Sequence, residues 1–141
     1  MGRVMAIDFG TKRIGVAVTD ELKMIASPQG TYNQLEFFPF LANYIAAETV
    51  ECIVVGKPVQ MNNTDSESEK YILPFVKKLI SLYPGIPVVR YDERFTSKMA
   101  QQAMIDGGLK KKDRQNKALL DSISAAIILQ SYLENQNYKT S

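Results

Sequence analysis

An α/β fold on a mixed five-stranded sheet, with antiparallel hairpin strands first, parallel strands later and helices on both faces, is what this sequence predicts. Three observations carry that expectation. Two apolar runs, residues 3–9 and 14–19, are separated only by Gly10-Thr-Lys-Arg, like the arms of a hairpin. Two later runs, 51–56 and 86–92, each follow a segment with helical spacing of apolar residues, the order that makes parallel crossovers. A long, mostly apolar stretch then closes the chain as a final helix.

Residues 3–9 are apolar at nearly every position, as in a strand covered on both faces. In the next run Ile14, Val16 and Val18 alternate with Gly15, Ala17 and Thr19, giving a strand with one bulky and one small face. Residues 24–32 supply a shorter third strand, weakened by Pro28 and Gly30. From 33 to 48, Phe38, Leu41, Ala42 and Ile45 recur at helical spacing, with Pro39 placed in the first turn. Ser66-Glu-Ser-Glu69 has the form of a capping box ahead of the stripe Ile72, Phe75, Val76, Leu79 and Ile80, and Pro74 is expected to bend that helix. Thr96 caps a short helix carrying Met99, Ala100, Ala103 and Met104 that stops at Gly107-Gly108. The last helix spans about 116–134, leaving residues 135–141 frayed.

With 141 residues, one domain covering 1–141 is expected, and there is little room for a second. Apolar residues make up 45% and charged residues 23%, ordinary for a globular protein. No run reaches the roughly 18 apolar residues of a membrane span, and the first residues lack an export signal, so the expected location is cytoplasmic, with no membrane partner. Cys52, the single cysteine, lies within an apolar strand and reads as packing, not as a nucleophile. Histidine is absent, which removes the commonest general base near neutral pH and the imidazole metal ligands. A metal bound here is therefore a hard cation on carboxylate oxygens, Mg2+ or Mn2+ above all. The formal net charge is only +2, and its one cluster is Lys110, Lys111, Lys112, Arg114 and Lys117.

Three carboxylates stand out. Asp8 ends an otherwise apolar strand, where a charge costs stability unless a metal or the turn amides of Gly10 and Thr11 compensate it. Asp92-Glu-Arg ends a later strand. Alternation sends Asp92 and Glu93 to opposite faces, so only one joins Asp8, while the plainer reading of the tripeptide is a solvated turn with internal ion pairing. Asp121 lies near the start of the last helix on one face with Ser124, Ala125 and Ile128, where the small residues permit close approach to the sheet and the helix dipole favours an anion; the plainer reading is a carboxylate pointing to water at an edge of the apolar surface. Such a trio repels itself, and divalent cations relieve the repulsion while supplying phosphodiester chemistry without histidine. Thr11, Lys12, Arg13, Arg94, Lys98, Lys110, Lys111 and Lys112 are the residues available to a nucleic-acid backbone, although a charge run is more often a solvated face.

The chain resembles the YqgF (RuvX) family, described as Holliday junction resolvases and as pre-16S ribosomal RNA nucleases. Four motifs in order carry the resemblance: Asp8-Phe-Gly-Thr-Lys-Arg-Ile-Gly-Val-Ala-Val; Ile53-Val-Val-Gly-Lys-Pro with Met61-Asn-Asn-Thr; Asp92-Glu-Arg-Phe-Thr-Ser; and Asp121-Ser-Ile-Ser-Ala-Ala-Ile-Ile-Leu-Gln-Ser-Tyr-Leu. It implies an RNase H-like fold and a metal-dependent nuclease site on Asp8, Glu93 and Asp121. The implied substrate is structured RNA, the 5′ end of pre-16S ribosomal RNA, or alternatively branched DNA. Lys57 stands where the family usually has Leu, and Asn63 where it usually has Gly. Assembly as a monomer or weak homodimer is left open. Two other readings compete. The first motif is also similar to the phosphate-binding hairpin of actin and sugar kinases, but those clamp nucleotide between two domains, and no Walker-type loop is present. A non-catalytic protein binding RNA, DNA or a transcription or translation partner is the other.

Overall fold

The computed structural model describes residues 2–58, 67–96, 101–102 and 117–140. Its centre is one sheet of five strands in the order β3-β2-β1-β4-β5, where β1 is Arg3–Phe9, β2 Ile14–Thr19, β3 Ala26–Tyr32, β4 Val50–Lys57 and β5 Val88–Asp92. β1, β2 and β3 pair antiparallel in sequence, whereas β4 joins β1 and β5 joins β4 in parallel. The mixed sheet is the one the sequence predicts.

The alternation in β2 decides how the two faces are covered. Ile14, Val16 and Val18 pack with Met5, Ile7, Ile53 and Val55 beneath helices α1 (Gln34–Ala47) and α2 (Glu69–Leu82). On the other face Ala6, Ala17, Ala26 and Val54 meet Ala125, Ala126, Ile128 and Leu129 of helix α3 (Lys117–Thr140). Small residues on this face bring the helix axis close to the sheet, and α3 lies across β1, β2 and β3.

Several local expectations are corrected. β3 is as long as β1, at seven residues, because it is an edge strand and a register shift opposite Val16 and Ala17 absorbs Pro28. Pro39 lies in the second turn of α1, not the first. That helix instead starts with a capping box: the Asn33 side chain accepts from the Glu36 amide at 2.8 Å, and Glu36 accepts from the Asn33 amide. Phe37 and Leu41 are its buried residues, while Ala42 is exposed.

α2 begins at Glu69 with Ser68 as its N-cap, whose side chain makes no cap hydrogen bond, while Ser66, the capping residue expected from the sequence, lies outside the described residues. Ile80 is exposed, so the buried stripe ends at Leu79. Glu69 is buried and holds Arg90 of β5, whose guanidinium donates to both Glu69 oxygens, one at 3.0 Å, and to the Val55 and Gly56 carbonyl oxygens. This fork ties α2 to the ends of β4 and β5. Glu69→Gln is expected to lower the unfolding free energy in urea by about 3 kcal/mol, because it leaves a largely buried guanidinium short of its counter-charge.

The last helix continues to Thr140 rather than fraying after Glu134, and the Asn135 side-chain amide donates to the Tyr91 hydroxyl. Residues 101 and 102 are helical, but Thr96's short helix otherwise lies outside the described residues, as do Ser66, Asn63 and Lys110 to Arg114. Among the described residues no helix is long and apolar enough to cross a membrane.

Candidate active site

Asp8 occupies the carboxyl end of the central strand, on the same face as Ala6 and therefore under α3. Its register partner across the hairpin is Gly15. A Cβ built on Gly15 would stand 2.0 Å from the Asp121 carbonyl oxygen, so the first described turns of α3 ride directly on the glycine. That close approach brings Asp121 to the strand end that carries Asp8.

Glu93 arrives from the other side. β5 ends at Asp92, and the chain turns into a short 3-10 segment, Glu93–Phe95. Asp92 caps this turn, accepting from the Arg94 amide at 2.9 Å, and its carboxylate is held by the Arg94 side chain at 2.7 Å. Glu93 turns back over the sheet: its Oε2 lies 3.2 Å from where a Cβ on Gly56 would be, and Ile128 of α3 lies 2.9 Å from the same point. Of the two adjacent acids, Asp92 thus takes the ion-paired turn role, and Glu93 faces Asp8.

Electrostatics records the convergence. Burial, then repulsion from Glu93 and from Asp121, push the Asp8 carboxyl up to about 7. Burial also raises Glu93, against the pull of Arg90. Hydrogen bonding from Arg94 holds Asp92 below the usual carboxylate range. Among the described residues the Asp8 carboxyl has no hydrogen-bond partner, so the turn amides of Gly10 and Thr11 do not compensate it.

Asp121 is turned toward Arg13, whose Nε donates to its Oδ2 at 2.6 Å. In this arrangement no three acidic, cysteine or histidine side chains among the described residues close around a point that would hold a metal ion. The chemistry of the set still suits a hard cation: three carboxylates, two of them with raised protonation, with Glu93 and Asp121 both repelling Asp8.

Of the other predicted site residues, Thr11, Lys12 and Arg13 form the exposed turn beside Asp8, with the Thr11 carbonyl oxygen accepting from Gln34. Arg94 is engaged by Asp92 rather than free to reach a ligand. Lys98, Lys110, Lys111 and Lys112 lie outside the described residues. Cys52 is half-buried, and burial pushes its thiol up, away from a nucleophile's range. The sequence reading missed the Arg13–Asp121 pair and the steric demand at Gly15 and Gly56. For Gly15 the signals were the small face of β2 and the small residues Ser124 and Ala125 beside Asp121; Gly56 had none.

A mixed sheet in the order β3-β2-β1-β4-β5, with the last helix crossing β1, β2 and β3, is the RNase H-like fold. Solved structures bear out the architecture. Thermus thermophilus RuvC in complex with a Holliday junction superimposes with a TM-score of 0.61 at 16% identity, covering 96% of each chain. A second structure of Thermus thermophilus RuvC gives 0.54 at 13% identity over 95% of this chain and 96% of that one. Closer in sequence, a Phocaeicola vulgatus protein named "Putative pre-16S rRNA nuclease" is 57% identical over 138 residues, 98% of this chain and 99% of the relative. A Christiangramia forsetii protein of the same name is 56% identical, covering 94% of this chain and 98% of its own length. The profile described as "RuvX: Holliday junction resolvase" matches residues 2–135. The chain belongs to the RuvX family.

Proposed function

We propose that this protein is a cytoplasmic, single-domain nuclease that hydrolyses phosphodiester bonds of structured nucleic acid, processing the 5′ end of pre-16S ribosomal RNA. In this reading Asp8, Glu93 and Asp121 hold Mg2+ or Mn2+. The observation that carries it is the raised Asp8: a carboxyl pushed to about 7 by burial and by two acids distant in sequence marks a place that favours a compensating cation. The names of the near relatives support the substrate class. When bound, such an ion lowers the pKa of water and neutralises charge developing at phosphorus.

The chain's own residues do the rest. Asp8 anchors the site on the central strand, and Glu93 and Asp121 flank it from the turn after β5 and from α3. Arg13 supplies the nearby positive charge. In the free protein that charge occupies Asp121; an incoming phosphate competes for the same guanidinium and frees the carboxylate. Arg13→Gln is accordingly expected to bind Mn2+ about fivefold more tightly without nucleic acid, the order of one partly exposed ion pair. Calorimetric titration of both proteins checks this, and equal affinities would contradict it.

The test of the function is incubation of a 16S precursor bearing its 5′ extension with wild type and Asp121→Asn, in Mg2+, Mn2+ or chelator, followed by mapping of the ends. Metal-dependent trimming by wild type alone is expected; trimming by both proteins would overturn the assigned carboxylates. The family description favours one second reading, resolution of four-way DNA junctions, and a parallel junction substrate separates the two. Binding without cutting of either substrate would favour the regulatory alternative.

A further inference from the structure

On the opposite face of the sheet from the carboxylates, but at the same edge, lies a cavity of about 350 Å³ to which no role has yet been assigned. Phe9, the residue after Asp8, forms part of its floor, because consecutive strand residues point to opposite faces. Phe38 and Phe75 complete an aromatic floor, with Phe9 and Phe75 ring centroids 4.7 Å apart and Phe38 and Phe75 at 5.6 Å. Tyr71, half of whose surface is exposed, stands at the rim.

The rim is cationic. Lys78 Nζ sits 4.3 Å from the centre of the Phe38 ring, and Lys70 Nζ 5.2 Å from that of Tyr71. Among the described residues no carboxylate lines the cavity, and neither lysine has an ion-pair partner. The lining residues Gln34 and Phe38 come from the first turns of α1, and Lys70, Tyr71 and Pro74 from the first turns of α2, so both helix dipoles present their positive ends there. Gln34 Nε2 also donates to the Thr11 carbonyl oxygen at 3.0 Å, joining the cavity to the turn that carries Lys12 and Arg13.

We propose that this cavity receives one unstacked nucleotide of a single-stranded segment, its base against the aromatic floor and its phosphates on Lys70 and Lys78. The proposal rests on the nucleic-acid substrate argued above and deepens it: the substrate then has an unpaired segment next to the cleaved bond, and the strand crosses from the cavity over the Thr11–Arg13 turn to the carboxylates. Aromatic surface holds a base of any identity, whereas the two ammonium groups need a phosphate, so an apolar peptide satisfies only half of the lining.

Fluorescence anisotropy of a single-stranded RNA of about 12 nucleotides, set against a blunt duplex of the same sequence, tests the idea. Tyr71→Ala is expected to weaken single-strand binding about tenfold without altering its salt dependence, and Tyr71→Phe to restore it. Lys70→Ala/Lys78→Ala is expected to lower the salt slope by about 1.4, the release accompanying two single-strand phosphate contacts. All these side chains are exposed, so unchanged melting temperatures are expected to accompany the losses. A 4-thiouridine in the RNA should crosslink to the peptide containing Tyr71. Variants that bind like wild type, or that lose duplex and single strand equally, would overturn the cavity's role alone. A wild type that binds neither RNA form would overturn the underlying function as well.

Discussion

Asp8→Asn should lower the cleavage rate by at least about a thousandfold while making the protein more stable above neutral pH. The rate loss corresponds to about 4 kcal/mol of transition-state stabilisation, what a central carboxylate of a metal-dependent site contributes. The stability gain follows from the raised carboxyl. Folded Asp8 titrates near 7 and its unfolded counterpart near the ordinary 3.8, so between those values the folded state binds more protons. Stability from this group is therefore complete below about pH 4, declines as pH rises, and is lost once pH passes 7. Asparagine carries no charge, so its melting temperature relative to wild type should climb from pH 4 to 7 and stay constant above. At pH 8 in chelator the gap should be about 1–3 kcal/mol, discounted for the residual exposure of the side chain. Adding Mg2+ should stabilise wild type and leave the variant unmoved. A gap independent of pH would show that Asp8 is not held in a repulsive, desolvated place. A site residue that costs stability in the absence of its ligand is the usual signature of function placed ahead of folding.

Gly15→Val is the second large effect. The added Cβ would meet the Asp121 carbonyl oxygen at 2.0 Å, its carbonyl carbon at 2.4 Å and the Ser122 amide nitrogen at 3.0 Å. All three are backbone atoms, so no rotamer change relieves the clash, and the start of α3 must move away from β2. The stability loss should be about 3 kcal/mol, the upper range for forcing bulk into a packed layer. Cleavage should fall by more than about a hundredfold, because a displacement near 1 Å already misplaces Asp121 against Asp8. Gly85→Ala is the control: a Cβ there meets nothing within 4 Å, and urea denaturation should barely register it. Equal effects at the two glycines would contradict the packing of α3 on β2.

The architecture was legible where a short-range period coincided with burial. Ile14, Val16 and Val18 against Gly15, Ala17 and Thr19 announced which face takes the bulky layer and which the close helix, and the two hydrophobic clusters divide along that line. Asp8 was visible as a charge at the end of an apolar strand, and Asp121 as a charge among Ser124, Ala125 and Ile128. The choice between Asp92 and Glu93 stayed open in the sequence itself, since alternation says only that they diverge, and it took the family resemblance to select Glu93. What could not be read depends on register or on a neighbour far along the chain. Arg13 and Asp121 are 108 positions apart and meet only because α3 lands on Gly15. Glu69 had the spacing of a capping residue, yet its carboxylate is held by Arg90 of β5, a partner 21 positions further along the chain that no local pattern announces. β3 looked weak for its proline and glycine, which penalise an interior strand but not one with an open flank.

That open flank governs how the molecule behaves beside its own copies. A bare strand rim invites another chain to continue the ladder, the first step of runaway association. Pro28 and the irregular spacing near Gly30 interrupt the repeat that a visiting strand would have to match. The same features that made this segment look unpromising as a strand keep that border of the protein from acting as a seed.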